Sequence, residues 1–345
     1  MTEMRTGHWL AGLTGLGIAL MTMPLCAEVV SGRILTGTPE QPLAGVGIEV
    51  QASGTTRRLD QTSSADGAFR FDLDTLFTPQ ALDTEILNVI FSKPGFRSYV
   101  FSRRTRQRGV FSIGALQIRM EAINAEPAPG PGTGDGDGEQ LRRIFHGDYA
   151  LFGEDDSPER LLEQLNERLP RHLRRGIVTH LQRLHLPADV TIDALPGELQ
   201  SADSVAMRRF AREQDALAVI QGEAELVGAD GDGVIEMASE FSVIPDLPEF
   251  HPGTLHIDDV IPADEIRPTR LSKQLSETWG GSTVFAMALD ETRRAIHETD
   301  PAKRRERLQR AEQFLKAQQR DLPADDILKQ QIEDLVAFIT RARQP

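Results

Sequence analysis

The sequence predicts an α+β multidomain chain: an N-terminal all-β, seven-stranded sandwich, then a mixed α/β layer with a C-terminal helical segment. Three observations carry this. Seven short alternating segments, each bounded by turn residues, fall within the hundred residues after position 28. A stretch at 126–140, EPAPGPGTGDGDGEQ, holds no apolar side chain larger than Ala128 and has nothing to offset the entropy of ordering. Beyond it, apolar residues recur at helical spacing in several long runs.

In chain order, Met1–Ala27 has a basic start at Arg5, an uncharged run from Trp9 to Leu25 and a small residue at the break. This pattern predicts a secretory signal peptide cleaved after Ala27, with an uncleaved anchor and acylation at Cys26 as the rival readings. The expected location is therefore periplasmic or secreted, and the processed chain does not span a membrane, although membrane association stays compatible with it. Cys26 is the sole cysteine, so the processed chain has no disulfide and no thiolate site. Residues 28–125 are the sandwich, 126–140 a flexible linker between two bodies, 141–268 an α/β domain with a long loop, and 269–345 the helical segment.

Within 28–125, strands are expected at 29–35, 46–51, 57–62, 68–73, 86–91, 98–102 and 116–120. Phe69, Phe71 and Leu73 alternate with Arg70 and Asp72, which gives that strand one buried face. Asp66 and Gly67 supply the turn before it, where glycine adopts positive φ without steric cost. The order Val30, Gly32, Pro42, Leu43, Gly45, Val46, Ile48, Val50, Asp66, Gly67, Phe69, Phe71, Gly95 and Phe96 resembles the carboxypeptidase regulatory-like domain. That resemblance implies a transthyretin-like (Ig-like) sandwich and an accessory role in contact or stability beside another domain. The peptidase itself is missing, because no histidine begins the H-x-x-E pair that supplies two zinc ligands. Arg103, Arg104, Arg106 and Arg108 are placed in a loop. They read either as a solvated connection or as an interaction patch for anionic partners: envelope polymers, lipid head groups or the protein's own acidic half.

In the second body, 144–152 is a first strand. Ser157, Pro158 and Glu159 open a helix that Pro170 breaks or restarts, and Pro187 ends it. A short strand at 190–192, a helix after Asp203 and a hairpin of 216–227 with 234–244 follow. In the GADGDG connection an EF-hand register would put Gly228 and Ser239 at the two strongest ligand positions, so it is read as a turn. Ala206, Phe210, Ala211, Asp215, Ala218, Val219, Ile220 and Gly222 resemble the amino-terminal domain of TolB-like envelope proteins, which implies a periplasmic assembly role. The stretch 245–268 is read as an irregular proline-rich loop. Its Glu249, His251, His256 and Asp258 are metal-ligand types without the spacing that would aim them at one ion, so no metal is assigned. From Leu271 the chain is helical, with Trp279, Gly280 and Gly281 marking a break and further helices after Asp300 and Pro323. These are read as a hairpin of tetratricopeptide kind or as helices packed on the α/β layer.

The formal charge of −14 is uneven: residues 28–125 carry 11 Lys and Arg against 10 Asp and Glu, and 126–345 carry 26 against 41. That balance excludes general nucleic-acid binding, which needs a net basic face. No G-x-S-x-G, P-loop, G-x-G-x-x-G or H-E-x-x-H motif is present. The sequence thus points to a non-catalytic exported binding or adaptor protein of a bacterial-type envelope, without cofactor, contacting a protein or an anionic polymer. A hydrolase using the carboxylates and histidines near 249–259, or a structural periplasmic spacer, are the alternatives.

Overall fold

A computed structural model describes residues 29–37, 39–84, 86–104, 111, 113–123, 142–152, 157–200, 204–227, 234–248, 250–262, 268–322 and 328–343. The expected signal segment, the 126–140 stretch, Arg106, Arg108, Glu249 and the 228–233 turn lie outside the described residues.

The fold is mixed α+β, strand-rich at its start and helical at its C-terminal end. The first body holds β1 (Val29–Thr36), β2 (Gln41–Pro42), β3 (Gly47–Ala52), β4 (Thr55–Arg58), β5 (Ala68–Asp72), β6 (Ile86–Ser92), β7 (Tyr99–Arg104) and β8 (Leu116–Arg119). Six of the seven expected segments are strands to within two residues, whereas the one expected at 57–62 is a strand only at its start, with β4 ending at Arg58. Two single-turn helices that alternation could not reveal, α1 (Leu73–Leu76) and α2 (Pro79–Leu82), are capped by Asp72 and Thr78. β1 pairs with β2, β5 and β8 in a four-stranded sheet, and β4, β3, β6 and β7 form the end of a second sheet. Val30, Ile34, Phe69 and Phe71 of the first meet Ile48, Val50, Leu87 and Phe91 of the second in one apolar core, with Phe69 set edge-on to Phe91 at 5.2 Å. Gly67 takes φ +76, and a Cβ there would lie 2.3 Å from the Ile34 carbonyl oxygen, so only glycine fits that turn.

That second sheet does not stop at β7. It continues through β14 (Thr254–Pro262), β13 (Val234–Val243), β12 (Ala218–Val227), β9 (Arg142–His146) and β11 (Val190–Ala194), with β10 (Ala150–Phe152) also on β12, to make ten strands. β7 and β14 run parallel, Tyr99 facing Thr254 and Arg104 facing Asp259. Residues on either side of the expected 126–140 linker therefore share one sheet, which two bodies free to move on a tether would not do. Each side nonetheless keeps its own apolar cluster.

The stretch read as an irregular loop is thus partly an interior strand. Its prolines stand outside β14 or, in Pro262, at its last residue, and Leu255 and Ile257 alternate with His256 and Asp258. The meeting point is tight: a Cβ on Gly253 would fall 1.4 Å from the Ser98 carbonyl oxygen, so any larger residue would push the strands apart.

On one face of the sheet lie α3 (Ser157–Arg183), α5 (Pro268–His297), α6 (Pro301–Asp321) and α7 (Leu328–Ala342), packing with Ile144, Ile220, Met237, Phe241 and Ile257. On the other face α4 (Ser204–Glu213) covers Phe145 and Val219. Two expected helix breaks do not occur. Pro170 sits inside the continuous α3. α5 runs unbroken through Gly280 and Gly281, where a Cβ would meet the His180 ring of α3 at 2.6 Å and the Gln318 side chain of α6 at 2.8 Å. Those glycines permit close helix approach, an interior demand that outweighs their modest cost to helix stability. Similarly, Gly222 on β12 makes room for the buried Tyr149 ring, whose hydroxyl shares a 2.8 Å hydrogen bond with Ser239.

Candidate functional site

A dense gathering of ionisable side chains lies where β7, β14 and β13 meet, on the sheet face opposite α3 and α5. Strand register puts Gln221, Glu240, His256 and Phe101 in a row across four strands. The His256 ring stacks on Phe101 with centroids 5.5 Å apart. Its Nε2 lies 2.9 Å from Asp258 Oδ1 and its Nδ1 3.3 Å from Glu240 Oε1. A carboxylate only accepts hydrogen bonds, so two of them on opposite ring nitrogens require both nitrogens to carry protons. Burial alone would lower the His256 pKa, but its bonds to Asp258 and Glu240 outweigh that and hold it up at about 10. Glu240 responds in kind. Burial would raise its carboxyl, yet the hydrogen bond and charge of His256 keep it below the usual range.

Tyr99 donates to Glu240 at 3.0 Å, and its phenol is pushed well up by burial and by the Glu240 charge. Arg103 sits 3.3 Å from Asp258 and 3.4 Å from Glu236, with 7% of its side chain exposed. A buried cation of the first body thus meets carboxylates of the second. Arg103 and Arg104 end β7 and do not lie in a loop, because this strand runs further than its apolar residues alone indicate.

A second cluster closes the other end of the junction. Arg97 forms a two-pronged pair with Asp246 and approaches Glu121 at 3.3 Å. Arg208 of α4 reaches the same Glu121 oxygen at 3.0 Å and donates to Thr254 Oγ1 at 3.0 Å. Burial draws the Arg208 pKa down to about 10 against the opposing pull of Glu121. His251 belongs here, 3.7 Å from Asp246. The metal-ligand candidates are therefore divided: His256 and Asp258 stand together, His251 lies in the other cluster, and no group of three or more His, Cys, Asp or Glu placed to hold a metal exists among the described residues.

Tyr99, Arg97, Glu121, Arg208, Glu240 and Asp246 were not singled out by sequence. Only the shared parity of Glu236 and Glu240 on one strand, and of His256 and Asp258 on the next, hinted that a polar face existed. No helix among the described residues is long and apolar enough to cross a membrane.

No protein-family model and no curated protein matches the chain. Among solved structures it is similar to the PelC dodecamer from Paraburkholderia phytofirmans, at 12% identity and a TM-score of 0.25, over 45% of this chain and 89% of that one. A single-residue variant of that dodecamer gives the same identity and TM-score over 40% and 86%. A hemagglutinin homolog from Helicobacter pylori is 8% identical with a TM-score of 0.19, over 48% and 90%. TM-scores this low carry no argument about fold or function.

Proposed function

We propose that this chain is an exported, non-catalytic binding or adaptor protein of a bacterial-type cell envelope. In this reading a transthyretin-like sandwich of carboxypeptidase regulatory-like kind and the α/β-helical body present surfaces to a protein or an anionic envelope polymer. The observation that supports it is the engagement of the ionisable groups at the junction. His256, the histidine at the centre of the cluster, has both nitrogens facing carboxylates. A general base needs a free lone pair at working pH, and a doubly protonated imidazole has none. Tyr99, with its phenol pushed up, is no nucleophile at neutral pH either. Periplasmic or secreted placement rests on the Met1–Ala27 pattern.

The test is in the envelope itself. Mass spectrometry of the exported product is expected to find an N-terminus at Glu28, and photo-crosslinking from exposed positions to recover one recurring partner. Hydrolysis of an ester, amide or glycoside that disappears in His256→Gln would overturn the reading in favour of an enzyme. Crosslinking that never yields a recurrent partner would favour a spacer.

A further inference from the structure

The first body holds a cavity of about 270 Å³ that no part of the adaptor reading uses. It opens where the two sheets part at their edges, between the stretch after β4 and the start of β5. Ile48, Leu59 and Phe69 make its apolar floor, and Gln61, Thr62 and Arg70 its rim. We propose that this cavity binds the apolar group of a small carboxylate, with the carboxylate held at the mouth by Arg70.

Three observations carry the assignment. First, the walls are fixed before any ligand arrives. Leu59 N donates to Ile48 O and Ser63 N to Val46 O, while the buried Ser63 hydroxyl donates to Leu43 O and accepts from Val46 N. A preformed site spares a ligand the cost of ordering its walls. Second, the floor is carbon and small. At 270 Å³ it lies just under the usual range for drug-sized ligands, so it suits one ring or a short branched chain. Third, the charge at the mouth is uncompensated. Asp72, two residues further along β5, accepts from Asp74 N at 2.9 Å, and Asp66, four residues back, accepts from Ser64 Oγ at 2.6 Å and faces Arg33 at 3.6 Å. No carboxylate pairs with Arg70 among the described residues, and Arg70 is the one charged residue lining the cavity. A guanidinium prefers the planar two-oxygen geometry of a carboxylate.

Such chemistry comes either from a free acid or from the last residue of a protein chain, and two probes separate them: 3-phenylpropionate, and an acetylated peptide ending in phenylalanine with a free carboxylate. With the full chain methyl-labelled, 3-phenylpropionate is expected to shift the Ile48 and Leu59 methyl resonances saturably, with a Kd on the order of 1 mM, as suits so small a ligand. Its neutral amide is expected to bind about tenfold more weakly, the worth of one charge-assisted contact. Arg70→Gln should bring the acid down to the level of the amide. Ala68→Leu, which fills the cavity from its half-exposed edge, should abolish the shifts without changing the melting temperature. Tighter binding of the peptide assigns the site to a protein terminus, and tighter binding of the free acid to a small molecule. No saturable shift up to 10 Kd of the expected value, equal affinity for acid and amide, or indifference to Arg70→Gln in a variant that melts normally would each overturn the proposal.

Discussion

Leu87, Val89 and Phe91 on β6 face an interior that the four-stranded sheet lines with Val30, Ile34, Phe69 and Phe71, all of them apolar. The stretch of α5 from Trp279 to Arg293 is just as inaccessible, yet beside Leu289 it buries Asp290, Glu291, Thr292 and Arg293. Glu291 pairs with Arg142 of β9 at 2.6 Å and with Arg307 of α6 at 3.2 Å, while Arg293 and Arg294 both reach Asp215 and Asp290. An apolar interior is tolerant of substitutions that conserve volume, because one methyl group serves nearly as well as another. An interior holding charges is not, since a misplaced helix leaves a carboxylate buried and alone. The contrast teaches that the sandwich is held by volume, whereas the helical layer and the junction are also held by pairing.

That distinction can be broken at its sharpest point first. Gly253→Val is expected to remove more than about 5 kcal/mol, because the valine side chain has no room beside Ser98 and β14 must leave β7. Urea unfolding and new protease cuts near the junction would report it, and a variant of unchanged stability would mean that the strands do not meet. Glu291→Ala should cost about 3 kcal/mol, because Arg142 and Arg307 lose a buried carboxylate while Arg142 keeps Asp189, and a double-mutant cycle with Arg142→Met should show coupling above about 1.5 kcal/mol. In the sandwich, Leu87→Ala is expected to cost about 3 kcal/mol through the cavity it leaves, while Leu87→Met stays under about 1.5 kcal/mol. If the methionine were as costly as the alanine, the apolar core would be as exacting as the charged one.

Smaller than any of the truncations above, and the most specific, is His256→Gln, at about 2 kcal/mol near pH 6. The His256 pKa is raised on folding, so its stabilising contribution is complete below about pH 6.5, declines as pH rises and is gone above about pH 10. The difference between wild type and His256→Gln should shrink along that interval. A pH-independent difference would mean that the ring is not held as a cation between Glu240 and Asp258.

The same contrast decides what was legible. The sandwich strands could be read from Phe69, Phe71 and their neighbours because alternation and burial coincide there. β14 could not, because His256 and Asp258 on its polar face look like solvent-facing residues until β7 and β13 are known to flank it. Gly280 and Gly281 signal a break in sequence, and only the His180 ring pressed against the helix shows why they are glycine. Pairings such as Arg97 with Asp246 span nearly 150 residues and leave no local trace. The division of the metal candidates followed from the same blindness, since His251 and His256 are neighbours in sequence but answer to different partners.

The parallel contact of β7 with β14 also has a mechanical side. A pull on the N-terminal sheets passes into the helical half through the ladder that starts at Tyr99 and Thr254. When tension runs along the strands, such a ladder is loaded in shear and its hydrogen bonds must fail together, which resists force far better than peeling them one by one. A chain secured to a surface at one end and gripping something at the other would behave as a stiff strut up to that rupture point.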